Sequence, residues 1–307
     1  MVTKEDLIKQ ELSKTGFDFE DEVAAQMKEL GDFDVQPNYC FIDWQTGEHL
    51  ELDLRATYQV TRSPIRIEYV VLIECKRILG NVWAFIKSTG DVVTSKNASS
   101  IWDNIDIIGR QGELVEILKP MTKVNSLVAD SHSNRFKEII LDSETSNKRD
   151  DNILNCTTKL AKAIYFEQRM HERNSAILAT QMDDVDYVKI YYPMMVFEGD
   201  MYEATMLPNL EVRHISSVHL DKFSIENKEE LGMTIDIVNY EYLRGFLERG
   251  LLTEAKQIVT RERKNRRAYV KRIHRIKEKK RLDKTWQQIS GVLPKVKGVP
   301  GVGKLVP

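Results

Sequence analysis

The chain has 307 residues, of which 42% are hydrophobic and 30% charged, a globular usage with room for one large α/β domain with extensions or for two domains. Eight prolines and fifteen glycines exclude collagen-like and low-complexity architecture, and no apolar run approaches the ~18 residues of a transmembrane helix. The net charge of −2 conceals an acidic body and one strongly basic segment: Arg261 to Thr285 holds thirteen Lys/Arg against three Asp/Glu, leaving 32 bases against 44 acids elsewhere.

In chain order, Met1 to Asp6 is charged with no apolar stretch behind it, so no secretory signal is expected. Phe19, Val23, Met27 and Leu30 recur on one face and predict a helix over Thr15–Leu30. Thr15 with Asp18 resembles a capping box, and Gly31 ends the helix. Asn38 to Trp44 is a short β-like run closed by a turn at Gln45-Thr46-Gly47. Leu50, Leu52, Leu54 and Ala56 alternate with Glu51, Asp53, Arg55 and Thr57, the period of a half-buried strand. A turn at Arg62-Ser63-Pro64 follows. Ile65 to Lys76 contains Tyr69-Val70-Val71-Leu72-Ile73, apolar on both faces, which predicts a central strand ending in Glu74-Cys75-Lys76.

Further along, Ser95 to Leu118 predicts one or two helices and Asp142 to Asn152 a surface loop. Ile153 to Asn174 predicts a helix with Leu154, Leu160, Ile164 and Phe166 on its apolar side. Tyr187–Phe197 and Met201–Met206 read as strands joined by a tight turn at Glu198-Gly199-Asp200. Asn239–Arg249 predicts a short helix stopped at Gly250. Gln257 to Gln288 predicts a long basic helix with a thin apolar stripe of Tyr269, Ile273 and Ile276, and Lys295–Pro307 a loose tail.

Four polar positions carry the chemistry: Glu20, Asp53, Glu74 and Lys76. Glu74 and Lys76 are two apart on one strand and share a face. Asp53 lies on the charged face of the preceding strand, so pairing of the two strands lets their ends converge. An unpaired carboxylate at the end of a buried strand costs several kcal/mol. A divalent cation held by Asp53 and Glu74 offsets that cost, and Mg²⁺ suits one or two carboxylates, water and phosphate oxygens. Lys76 then orients or deprotonates an attacking water, or sets positive charge beside a phosphate.

Asp53, followed 21 residues later by Glu74-Cys75-Lys76 at the end of an apolar strand, resembles the D…(D/E)xK signature of the PD-(D/E)xK nuclease superfamily. Gly16 to Val23 is similar to the "G..FE..V" first helix of its Mrr-like and Holliday-junction-resolvase branches. Glu51-Leu52-Asp53 resembles their E-x-D strand, although Leu52 stands where many members have proline. The resemblance spans Thr15 to Trp83. It implies a restriction-endonuclease-like α-β-β-β-α-β core with a mixed central sheet. It also implies a magnesium- or manganese-dependent endonuclease that hydrolyses phosphodiester bonds by a metal-activated water.

Under that reading Asp53, Glu74 and Lys76 are catalytic, Asp53 and Glu74 hold the metal, and Glu20 joins as an outer ligand. A helix-dipole role explains Glu20 equally well. Arg266, Arg267, Lys271, Arg272 and Arg275 of the basic helix supply sequence-neutral phosphate contacts, to DNA in preference to RNA. No membrane partner is expected, homodimerisation is left open, and the cytoplasm is the expected compartment. The rival reading is a catalytically silent protein of the same fold that binds nucleic acid or a protein partner through the basic helix. The nuclease-like domain is expected over 12–250, the basic helical extension over 251–290 and a flexible tail over 291–307.

Other motifs are weaker. Cys40, Cys75 and Cys156 form no CxxC pair, which disfavours a disulfide framework or zinc ribbon and fits a reducing cytoplasm. Cys75 points away from Glu74 and Lys76 and reads as a small core residue. Glu51 reads as a salt-bridge partner of Arg55 or Arg66. Gly298 to Lys304 satisfies GxxxxGK but lacks a strand before it and Ser/Thr after it, so it is not a phosphate loop. The six histidines show no HxxxH or HExxH spacing, and His214 and His219 read as surface residues. Trp83 and Trp102 read as core or lid residues.

Overall fold

In the computed structural model the described residues are 3–7, 16–62, 65–87, 105–108, 129–140, 151–181, 186–206, 209–226, 229–253 and 255. The chain divides into two units, Met1–Lys256 and Gln257–Pro307, the second lying outside the described residues. The first unit is a mixed α/β fold around a mixed sheet of parallel and antiparallel strands.

Helix α1 (Phe17–Glu29) leads into β1 (Phe33–Ile42), β2 (His49–Arg62) and β3 (Ile65–Lys87). Then come β4 (Ile105–Ile108), β5 (Ser131–Ile140), α2 (Asp151–Gln181), β6 (Asp186–Thr205), β7 (Glu211–His214), β8 (Ser217–Glu226) and β9 (Glu229–Asn239). Strands β1, β2 and β3 form an antiparallel meander, with Tyr39 opposite Leu52 and Leu54 opposite Ile73. The long β3 runs parallel to β6 along its other edge. Its second half also pairs with β5, and β5, β8, β9 and β6 pair in succession, so the strand pairings β3–β5–β8–β9–β6–β3 close on themselves.

Burial follows the apolar patterning. Phe41, Leu52, Val70, Leu72, Tyr191 and Ile235 form one cluster with Leu160, Ala161, Ala163 and Ile164 of α2, so this helix covers one face of the sheet. Trp83 stacks on Phe197 in a second cluster with Phe85, Met195, Met201, Val218 and Ile237. Helix α1 buries Phe19, Val23 and Met27 and lies against β1, β2 and β3.

Several elements differ from the sequence expectation. The residue that caps α1 is Gly16, in a left-handed conformation and with no side-chain cap, whereas Thr15, expected to open a capping box, lies outside the described residues. Strand β3 does not stop at Lys76 but runs on to Lys87, because Val82, Trp83 and Phe85 have a second set of partners in β5. The tight turn expected at Glu198-Gly199-Asp200 is instead the interior of one strand. There, Ile78 to Asn81 of β3 bulge where the register with β6 shifts, and Gly199 lies against Ile78. Residues Ile105–Ile108, expected to be helical, form a strand because the free edge of β6 offers them a ladder.

Helix α2 begins at Asp151 and extends to Gln181, and it exposes Leu154. Gly250 does not stop the last helix: a 3₁₀ turn (Tyr240–Tyr242), a short α-helix (Leu243–Leu247) and a π-turn (Glu248–Leu252) follow one another, with Gly250 buried in the π-turn. The basic helix and the tail expected from the sequence lie outside the described residues. Among the described residues no helix is long and apolar enough to cross a membrane.

Candidate active site

The β2–β3 ladder assembles the site. Its last pair in this direction is Leu54 opposite Ile73, and the next residues on each strand are Asp53 and Glu74. The backbone N–H of Cys75 donates to Asp53 Oδ2 at 2.6 Å, holding the Asp53 carboxylate against the end of the buried run. Glu74 is two residues beyond Leu72, which packs under α2, and the Glu74 side chain is likewise turned to that helix. Lys76 lies one step further on the same face, half-buried, and is coupled electrostatically to Glu74 and Asp53.

Glu20 comes from the first turn of α1. Its position is set by an anchor that composition could not disclose: Arg77 of β3 pairs with Asp18 at 2.6 Å, with Glu22 at 3.1 Å and with Glu198 of β6. The same guanidinium lies over the Phe19 ring, 4.9 Å from its centroid. The two helix carboxylates held by Arg77 bracket Glu20 in the sequence, so the clamp fixes the helix turn that carries it. Glu20 thereby joins the field of Asp53, Lys76 and Glu74.

Helix α2 supplies two residues that sequence reasoning missed. The Lys159 ammonium lies 2.6 Å from Glu74 Oε1, and Cys156, one turn earlier, is buried beside Lys76 and Glu74. Glu74 itself is 0% exposed, while Lys159 keeps 30% of its side chain in solvent. No hydrogen bond of good geometry reaches either Glu74 oxygen, although Lys159 and the Cys156 thiol both stand against this buried carboxylate. The sequence signal for Lys159 was its place beside the buried stripe of Cys156, Leu160 and Ala163, where a lysine needs an acidic partner.

The electrostatics follow from this crowding. Burial, reinforced by Asp53, raises Glu74 to about 7 despite Lys159 and Lys76. Burial and then Asp53 raise Glu20 to about 7 as well, against the pull of Lys76. Burial pushes the Cys156 thiol up to about 12, which removes it as a nucleophile near neutrality. For Lys76, burial opposes its charge, but Cys156, Glu74 and Asp53 outweigh it and its pKa ends above the ordinary lysine value.

Among the described residues no cluster of three His, Cys, Asp or Glu side chains forms a ready cage for a metal ion. The donor set nevertheless fits a hard divalent cation of the Mg²⁺ type. Asp53, Glu74 and Glu20 offer only carboxylate oxygens, and those of Glu74 are buried without well-directed donors.

The remaining sequence candidates separate. Cys75 is buried and its thiol pKa lies well above the ordinary value through burial, in keeping with a core role. Trp83 is fully buried in the core. Arg55 pairs with Glu167 of α2 rather than with Glu51, whose carboxylate instead meets the Cys40 thiol at 3.9 Å. His214 is exposed, but His219 is buried opposite Asp236 and bonded to it, because β8 and β9 place the two directly across a ladder. Trp102, Arg266, Arg267, Lys271, Arg272 and Arg275 lie outside the described residues. Compared with known proteins, the chain matches no family model, no curated protein and no solved structure.

Proposed function

We propose that the protein is a metal-dependent nuclease that hydrolyses phosphodiester bonds of DNA. The observation that carries this reading is the convergence of Asp53, Glu74 and Lys76, with Glu20, at one end of the β2–β3 ladder. The order α1, β1, β2, β3, α2, β6, with β3 parallel to β6, supports a restriction-endonuclease-like core into which β4 and β5 are inserted.

Asp53 and Glu74 would hold a Mg²⁺ or Mn²⁺ ion, with Glu20 completing the acidic side. Such a cation supplies Lewis-acid stabilisation of the negative charge that grows on the phosphate. The protein's own groups do the rest. The Cys75 N–H keeps the Asp53 carboxylate in place, so no reorganisation is needed as charge develops. Lys76, whose raised pKa keeps it an ammonium near neutrality, serves better to orient water and to stabilise charge than to remove a proton. Burial of Glu74 under α2, beside the buried Cys156 of that helix, limits the water around the reacting groups. The basic segment Arg261 to Lys284 offsets the acidity of the body toward a polyanion.

The Lys159–Glu74 ion pair gives a specific reason to keep the rival reading, since it already meets part of the charge of Glu74. On that reading the protein binds nucleic acid without cutting it. Incubation of the purified protein with circular, linear and single-stranded DNA and with RNA, in Mg²⁺, Mn²⁺ or EDTA, decides between the two. Cleavage that needs the metal and is lost in Glu74→Gln supports the nuclease; binding without cleavage in every arm rejects it.

A further inference from the structure

We propose that Lys159 is a built-in counter-ion that competes with a divalent cation for Glu74, so that cation binding releases the lysine to solvent. This inference rests on the nuclease reading only in taking Asp53 and Glu74 as the cation's ligands.

Three observations carry it. First, the Lys159 ammonium sits 2.6 Å from Glu74 Oε1, so it already occupies the carboxylate that a cation would take. Second, the partners differ in access: Glu74 is 0% exposed and cannot leave, whereas Lys159 has 30% of its side chain in solvent and a flexible four-carbon stem by which to go. Third, the charges match only after the lysine departs. Fully ionised, Glu20, Asp53 and Glu74 set against Lys76 carry a net of two negative charges, the complement of one divalent ion. With Lys159 seated the net is a single negative charge, and a divalent ion would then overcharge a buried site.

Helix α2 gives the exchange its setting. It packs on the sheet through Leu160, Ala161 and Ile164 and is tied down through Lys162 with Asp43 at 2.6 Å, and Glu167 with Arg55 at 2.7 Å. The helix therefore stays in place while the Lys159 side chain moves. Before a cation arrives, Lys159 offsets part of the repulsion among the carboxylates. Afterwards its solvent-reaching ammonium is an added positive charge beside the site, suited to a phosphate of the substrate.

The test uses the whole protein and Mn²⁺ as the probe, with binding followed by electron paramagnetic resonance. Lys159→Met keeps the apolar stem and removes the charge, and it should bind Mn²⁺ roughly tenfold more tightly than the unaltered protein. Lys162→Met, on the same helix but paired with Asp43, should leave the affinity unchanged. Because Lys159→Met strips a buried carboxylate of its counter-ion and could hinder folding, a second measurement uses the unaltered protein. Acetylation of Lys159 by acetic anhydride, read by mass spectrometry, should rise several-fold when Mg²⁺ is present, with no change at Lys162. Mn²⁺ binding that is sensitive to Glu74→Gln, but neither tightened by Lys159→Met nor accompanied by unmasking of Lys159, overturns this inference and leaves the nuclease reading standing. No Mn²⁺ binding by any variant at millimolar concentration overturns both.

Discussion

The backbone N–H of Cys75 donates to the carboxylate of Asp53 at 2.6 Å, so the strand that carries Glu74 and Lys76 also positions the acid on its neighbour. Asp53 raises the pKa of both Glu20 and Glu74, after burial in each case. Asp53→Asn keeps an acceptor for the Cys75 N–H and removes the charge. It should therefore lower the titration midpoints of Glu20 and Glu74 from about 7 toward ordinary carboxylate values, by an amount that NMR of labelled glutamate side chains reads directly. Unmoved midpoints would mean that burial alone sets them.

The same two groups make stability depend on pH and on metal. A folded-state pKa raised to about 7 stabilises the protein below the ordinary value of 4.5, and that contribution is lost as pH rises through 7. The metal-free protein should thus lose melting temperature as pH rises from about 4.5 to about 7, with no further loss from these two groups above that. Mg²⁺ should restore it at the upper end, and Glu74→Gln should abolish the restoration.

Acid acts on a different cluster. Burial, and then Lys189, lowers His171 to about 4, while Glu167, despite its burial, is lowered to about 2 by Lys189 and Arg55. For His171 the unfolded chain takes up a proton below 6.5 and the fold does not, so this stabilisation is complete above 6.5 and lost as pH falls toward 4. For Glu167 the contribution is present above 4.5 and lost as pH falls toward 2. Over this range the His171 loss runs against the gain from Glu20 and Glu74, so it is read by difference: the melting temperature of His171→Phe minus that of the unaltered protein should rise as pH falls from 6.5 to 4.

Lys76→Ala should lower cleavage by on the order of 10²-fold or more with little change in melting temperature, since it removes transition-state stabilisation rather than core packing. Retained activity would make Lys76 a structural residue.

Gly199→Ala should destabilise the fold by about 2 kcal/mol. Gly199 has φ +155°, and an added Cβ would lie 2.6 Å from the Phe197 ring and 2.8 Å from the Ile78 carbonyl oxygen. Its own carbonyl accepts from Asn239 Nδ2 at 2.8 Å, so the strand cannot simply shift away. Denaturant midpoints of the two proteins measure the loss.

Replacing Arg266, Arg267, Lys271 and Arg272 with alanine should weaken DNA binding for all sequences alike. It should also flatten the salt dependence by roughly 0.9 in log–log slope for each phosphate that is no longer neutralised. A loss of stability or of dimer with the slope unchanged would assign the segment to internal or subunit pairing instead.

Local pattern determined much of this protein. The alternation from Leu50 to Thr57, the two-sided apolar run before Glu74 and the face of Phe19, Val23 and Met27 each specify an element, because burial at period 2 or 3.6 is a property of neighbours in the chain. Those elements sufficed to single out Asp53, Glu74 and Lys76 as groups at one end of a strand pair, whereas Glu20, on the first helix, was singled out only by the resemblance. What decided the rest were interactions between residues far apart in sequence. The glycine at 199 reads as a turn until the bulge at Ile78 and the ladder to β3 supply a second strand beside it. The run at 105–108 reads as helical until the edge of β6 is available to it. Lys159, Arg77 with its three carboxylates, and the buried His219–Asp236 pair are ordinary charged residues by spacing. Only the tertiary structure gives them partners, because ion pairing depends on distance in space and leaves no period along the chain.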